Sequence, residues 1–345
     1  MKIAVVGAGI FGCTAAIKLA RAGHKVELFD MYDTILRCAS GINQYRLHRG
    51  YHYPRSFDTA IESSGSVELF EDEYRPSIIT TNDHYYAISR EDSNTSAIEY
   101  ILFLNKCKLS YSVERIDSLS ILKPYSIASL FKVQENSFDV AELYLNIMTK
   151  LTNERVDLRF GEVFWKARVS EYDLVINATY ANTNGLLPDD ERIDYQFELC
   201  EKPVVSLSPK FQNKSIVILD GNFGCVDPYG DTKFHVVGHV DHAVIERQFG
   251  QFFIPHQLYP INQGIIKSNP SNHNLIFDGL CQHFNFNDWL TWQGSMFTVR
   301  TVLPEREHDD ARPSYITKNS NNVWSIFSGK IGTAVKIAND LIKMI

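Results

Sequence analysis

Apolar residues open the chain as an unbroken run, Ile3 to Val6, and then change to a spacing of three and four. Such a run is what a parallel strand covered on both faces requires. The change comes after Gly7-Ala8-Gly9-Ile10-Phe11-Gly12, where Ile10, Cys13, Ala16, Ile17 and Ala20 mark one helical face ending at Gly23. Lys25 to Phe29 reads as a second strand with Asp30 at its end. Farther on, Val140, Leu143, Tyr144, Ile147, Met148 and Leu151 predict a helix, with Asp139 and Glu142 at capping-box spacing and a strand at 156–160 behind it. Ala334, Ile337, Ala338, Leu341, Ile342 and Ile345 form a last helical stripe after a strand that starts at Trp324. Residues 78–136 and 200–290 differ in texture. They carry short β-like runs, such as His84 to Ile88 and Phe234 to Val240, broken by Asn, Asp, Gly and Pro.

The strand, glycine turn and helix at the N-terminus suit a dinucleotide. Gly7 permits the tight turn, Gly9 lets the backbone approach a diphosphate, and Gly12 lets helix and strand pack closely. The helix start adds unpaired N–H groups and positive partial charge. Asp30 is placed to accept hydrogen bonds from ribose hydroxyls. This much leaves NAD and FAD both open.

Composition narrows the class. At 345 residues the chain has room for two domains, or for one with a large insertion. Its 44% hydrophobic and 22% charged residues are those of an ordinary globular protein, and a net charge of −7 argues against a broad nucleic-acid surface. The six cysteines are scattered without a C-x-x-C pair, which reads as reduced thiols. No apolar run reaches the length of a membrane span, and the first strand begins at Lys2, so a cytoplasmic protein is expected. His235 and His239 would share one strand face with His242 turned away. No nearby carboxylate or cysteine completes a shell, so no metal is expected. Neither a nucleophile elbow nor a P-loop is present.

Residues 40–56 decide between the cofactors. Rich in Gly, His, Arg and Tyr, they do not continue as an NAD dehydrogenase would. Leu47-His48-Arg49-Gly50-Tyr51-His52-Tyr53 resembles the flavin-side stretch of the D-amino acid oxidase superfamily, nearest the L-2-hydroxyglutarate oxidase and glycine oxidase branches. Asp173 to Thr179 resembles that family's strand and turn closing over FAD, with Tyr180 in place of the usual glycine. Ser328-Gly329-Lys330-Ile331-Gly332-Thr333 resembles its flavin-pyrimidine loop, and Asp309-Asp310-Ala311-Arg312-Pro313-Ser314 its arginine segment.

The resemblance implies a mixed α/β fold. A Rossmann-type FAD unit would comprise residues 1–77, 137–199 and 291–345, and an antiparallel sheet from 78–136 and 200–290 would roof the flavin. It implies FAD contacts at Gly7, Gly9, Ile10, Phe11, Gly12, Asp30, Asn43, Arg46, Leu47, His48, Val163, Ala178, Thr179 and Ser328 to Thr333. His48, His52, Lys330 and Arg312 are then the catalytic candidates, and Arg49, Tyr51, Tyr53 and Arg300 the substrate candidates. The expected activity is oxidation of a C–N or C–OH bond by hydride transfer to flavin. The substrate would be an amino or hydroxy acid, or such a group carried on a sugar or nucleotide. An NAD-dependent dehydrogenase and a non-catalytic flavin-binding protein are the alternatives. Oligomeric state and electron acceptor are not readable.

Overall fold

The computed structural model describes all residues except 222, 256, 288 and 305–312. Strand β1 (Lys2–Val6), helix α1 (Ile10–Arg21) and strand β2 (Lys25–Asp30) form the expected opening unit. Gly23 closes the helix with φ +86°. Asp139 caps the helix Val140–Asn153 by accepting from the Ala141 and Glu142 N–H groups, and Leu143, Ile147 and Leu151 are its buried stripe. The C-terminal helix Ala334–Met344 buries Ala334, Ile337, Ala338 and Leu341 and packs on α1.

Among the described residues the strands form sheets of six, nine and three. The six-stranded sheet runs in the order Tyr315–Lys318, Val323–Phe327, Leu174–Asn177, β1, β2, Asp157–Phe160. It is parallel except for the pair formed by its first two members. Since β1 has β2 on one side and Leu174–Asn177 on the other, the glycine turn leaves β1 where the winding reverses. Open α/β sheets bind their ligands at such a point.

The nine-stranded sheet is antiparallel apart from one parallel pair, Lys214–Leu219 with Asp83–Ser89. Its longest members, Tyr195–Ser206 and Thr291–Val302, pair with each other. Here the structure departs from the expected segment boundaries. Residues 195–199 and 291–302 lie in this sheet, because pairing in register from Gln196↔Val302 to Val204↔Gly294 holds both strands in it. The three-stranded sheet joins β3 (Arg46–Leu47), Asn136–Phe138 and Ile78–Ile79. It stitches the segment after β2 to the larger sheet.

One face of Tyr195–Ser206 is turned to the β1–α1 unit. Val204, Val236 and Met296 join the same apolar cluster as Ile42 and Tyr45, and the Tyr45 hydroxyl lies 3.7 Å from Met296 Sδ. By strand alternation Glu198, Cys200 and Lys202 share the face of Val204, with Arg300, Thr298 and Met296 opposite them on the neighbouring strand. A polar stripe therefore looks into the space between the two layers.

Candidate functional site

The turn after β1 is closed by backbone contacts that only glycine permits. Gly7 has φ +102°, and a Cβ there would lie 2.6 Å from the Ala178 carbonyl oxygen. A Cβ on Gly12 would lie 1.8 Å from the Gly7 carbonyl oxygen. The Ala178 N–H donates to Val6 and the Thr179 hydroxyl to Asn177, so the expected second turn packs on the first. Ile10 and Phe11, expected at the cofactor, have buried side chains.

This turn fits a dinucleotide on its own features. Gly9 occupies the N-cap of α1 without a side-chain cap, and no acid stands in the first turn. The first amides of a helix have no partner within it. Ser40, absent from the sequence candidates, accepts from the Ile10 N–H through Oγ at 3.0 Å, and so adds a hydroxyl at the helix start. Asp30 accepts from the Ala8 N–H at 2.6 Å and the Tyr32 N–H at 2.9 Å; its burial raises the carboxyl pKa against these contacts. The carboxylate is thereby held against the turn. The Glu162 N–H donates to the Asp30 carbonyl, which brings half-exposed Val163 to the end of β2.

Asn43 shapes the next segment. Its amide donates to the Ala39 and Ser40 carbonyls and its oxygen accepts from the Tyr45 N–H. Leu47 is fully buried. Arg46 is buried as well, and its guanidinium pairs with Asp227 and reaches the Tyr86 hydroxyl. Its charge thus ties β3 to the nine-stranded sheet.

His48, His52, Tyr53 and Lys330 come together. The His48 and His52 rings are 5.0 Å apart, His52 and Tyr53 5.4 Å, and the Lys330 ammonium sits 4.6 Å above the Tyr53 ring. Arg46, His48, Ser63 and Lys330 to Thr333 line one small cavity here. Within the Ser328 to Thr333 turn, the Gly329 N–H donates to Ser314 Oγ and the Thr333 hydroxyl to the Lys330 carbonyl. Burial, and then the positive charges His48 would meet at His52, Lys330 and Arg46, holds its pKa well below the ordinary 6.5, so the ring is neutral. Glu135, which the sequence reading missed, lies 3.9 Å from His48 Nδ1. It accepts from the Arg49 N–H and the Tyr86 hydroxyl. Burial outweighs these contacts and the Arg46 charge and pushes its carboxyl up to about 7.

Other candidates are drawn elsewhere. The Arg49 guanidinium pairs with Glu71 and Glu68 on helix α2 (Phe57–Glu73), and the buried Tyr51 hydroxyl donates to the Ser110 carbonyl. Neither side chain joins the His48 cavity, because each has its polar partner within the surrounding fold. Arg300 reaches the interlayer face, where Glu198 takes its guanidinium. Arg312 lies outside the described residues. His235 binds the Phe211 carbonyl through Nε2, and His239 stacks on His242 at 4.7 Å.

The glycine turn has the form of a dinucleotide-binding turn, and the small cavity lined by Arg46, His48, Ser63 and Lys330 to Thr333 is the candidate site for chemistry. The model of the DAO family, FAD dependent oxidoreductase, matches residues 2–296, and the chain belongs to that family. It is an FAD-dependent enzyme. The FAD-dependent monooxygenase kojA of Aspergillus flavus is 25% identical, over 100% of this chain and 86% of its own length. Glycine oxidase from Geobacillus kaustophilus has a similar fold, with TM-score 0.73 and 13% identity over 99% of this chain and 94% of that one. A modified fructosyl peptide oxidase from Aspergillus nidulans has TM-score 0.74 and 13% identity, over 99% and 89%. Among the described residues no helix is long and apolar enough to cross a membrane.

Proposed function

We propose that this FAD-dependent oxidoreductase oxidises a C–OH or C–N bond of a small molecule held between the glycine-turn unit and the nine-stranded sheet. The substrate is an amino or hydroxy acid, or such a group carried on a sugar or nucleotide. One observation carries the reading: neutral His48 faces the same small cavity as Lys330, with Glu135 at its back.

Bound FAD supplies the acceptor for the substrate hydride. The amides at the start of α1, with Ser40, would hold its diphosphate, and Asp30 its ribose. The Ser328 to Thr333 turn and Lys330 would face the ring, where N–H groups and an ammonium favour negative charge. For a hydroxy substrate, His48 takes the hydroxyl proton. The ring then becomes an imidazolium, and the Glu135 carboxyl, 3.9 Å from Nδ1, offsets that charge once ionised. An amine that arrives neutral has no need of this base.

The names of the curated relatives favour a second reading, a monooxygenase. One experiment separates the two. Mixing the FAD-loaded enzyme anaerobically with amino and hydroxy acids, free and sugar-linked, is expected to bleach the visible flavin band without added nicotinamide. Bleaching only on addition of NADH or NADPH would reject the proposed reaction in favour of the second.

A further inference from the structure

A buried asparagine joins the two layers beside the ribose acid. Asn262 lies in the segment 251–272, between the strand Val244–Gly250 and the helix His273–Leu280. Its main chain is fixed to the nine-stranded sheet: the Asn262 N–H donates to the Phe297 carbonyl at 2.8 Å, and Ile261 bridges to Phe297. Asn262 is 7% exposed and holds φ +59°, a left-handed conformation that asparagine tolerates better than most residues. Both ends of its amide are engaged. Nδ2 donates to the Tyr32 hydroxyl at 3.2 Å and to Cys38 Sγ at 3.2 Å, and Oδ1 accepts from the Thr298 hydroxyl at 2.9 Å. A primary amide can give two N–H groups and accept at the same time.

The partners give this residue its role. Tyr32 and Cys38 lie in the stretch that runs from Asp30 to Ser40, the two groups that meet the glycine turn. The Tyr32 N–H donates to Asp30 Oδ1 at 2.9 Å, its carbonyl accepts from the Gly161 N–H, and Ser40 Oγ accepts from the Ile10 N–H. Burial, and then the Asp30 charge, pushes the Cys38 thiol up to about 12, so a neutral sulfur stands within that carboxylate's field. Thr298 belongs to the other layer, on the face of Thr291–Val302 that looks into the interlayer space. Among the described residues no hydrogen bond joins Thr298 to Tyr32 directly, so the link runs through Asn262. Leaving a buried amide without its partners costs more than the bonds return when made, which favours one arrangement of the whole chain of contacts.

We propose that Asn262 is a positioning residue for the cofactor: between Thr298 on one side and Tyr32 and Cys38 on the other, it holds residues 31–40 in the arrangement by which Asp30 and Ser40 retain FAD. The inference goes beyond the proposed oxidation and stands without it, since it concerns only how the cofactor is kept. A side chain carried by the nine-stranded sheet thereby sets how long FAD stays on the other layer.

The test follows release of FAD from the loaded enzyme on dilution, read as the rise of free-flavin fluorescence. Asn262→Gly removes the amide and puts in its place a residue at ease at positive φ; release should become about 10-fold faster. Thr298→Val removes one bond of the chain with little change of shape and should speed release about 3-fold, within the range of a single buried hydrogen bond. Thr298→Ser should release FAD as the wild type does. Because the bonds act as a unit, Thr298→Val should add nothing in an Asn262→Gly background. Ser271→Ala is the control. It cuts another bond of the same segment, to Glu201, and should leave release unchanged while lowering the unfolding midpoint. If Asn262→Gly does not fold, Thr298→Val and Tyr32→Phe supply the pair, with a combined effect smaller than the product of the two. Unchanged release from Asn262→Gly overturns the proposal even if the midpoint falls, because the residue would then be structural only. Equal acceleration by Ser271→Ala overturns it as well, and so does a Thr298→Val effect that persists undiminished without Asn262.

Discussion

Tyr180 holds a left-handed backbone conformation, φ +54°, and its hydroxyl donates to the Thr301 carbonyl at 3.1 Å. At this position, where the sequence resemblance led a glycine to be expected, the tyrosine adopts a conformation that glycine favours and is tethered to the nine-stranded sheet. A non-glycine residue in this region is strained, and the tether offsets part of that strain. Tyr180→Phe keeps the ring and removes the bond. It should cost about 0.5–1.5 kcal/mol, read as a lower denaturant midpoint with unchanged slope. An unaltered midpoint would show that the hydroxyl contributes nothing.

The buried Arg46–Asp227 pair should behave asymmetrically. Removing one partner leaves an uncompensated charge, so Asp227→Ala should destabilise by about 3–5 kcal/mol. Replacing both by apolar residues of similar size, Arg46→Met with Asp227→Leu, should cost less than the single change. Thermal unfolding of the three proteins checks the order, and a double variant weaker than Asp227→Ala would contradict it.

Gly12 should be intolerant of any side chain. With a Cβ placed 1.8 Å from the Gly7 carbonyl oxygen, α1 must move away from the turn. Gly12→Ala should therefore lose most of its FAD on gel filtration, as read by the flavin to protein absorbance ratio. Retention of stoichiometric FAD would mean that the turn is looser than its geometry indicates.

Glu135 and His48 predict opposite pH dependences. The Glu135 carboxyl is raised from 4.5 to about 7, so between those values the folded protein holds a proton that the unfolded chain releases, and stability falls as pH rises through the window. The His48 pKa is lowered from 6.5. Its contribution is present above that value and is lost as pH falls, because the unfolded chain takes up a proton that the folded one refuses. Glu135→Gln removes the first effect alone. Relative to wild type it should gain up to about 3 kcal/mol between pH 5 and pH 8. Parallel Tm profiles across that range would refute the assignment.

Much of the cofactor side could be read from the sequence because its demands are local. Three glycines, an uncapped helix start and an acid closing the next strand are all set by neighbours in the chain. The residues missed are those whose partners come from across a sheet. Glu135 stands in Val133-Gln134-Glu135-Asn136, which reads as a polar turn; only the pairing of Arg46–Leu47 with Asn136–Phe138 buries it. Asp227 looks like an ordinary turn acid before Pro228. The strand Tyr195–Ser206 left only a partial trace: Gln196 and Glu198 alternate with Phe197 and Leu199, but Glu201 breaks the alternation and Pro203 argues against an inner strand. Arg49 and Tyr51 misled for the converse reason: in a segment rich in polar residues, nothing local tells which side chains turn outward to α2 or to Ser110.

The register of Tyr195–Ser206 against Thr291–Val302 has an evolutionary corollary. Chemical selectivity in most enzymes is spread over loops, whose changes shift several groups together. Here the groups looking into the interlayer space sit at every second position of one ladder, about 7 Å apart, on a support that the pairing keeps fixed. Exchanging a single member of that row would retune what the enzyme accepts while the cofactor cradle stays as it is, so closely related chains could diverge in substrate without diverging in shape.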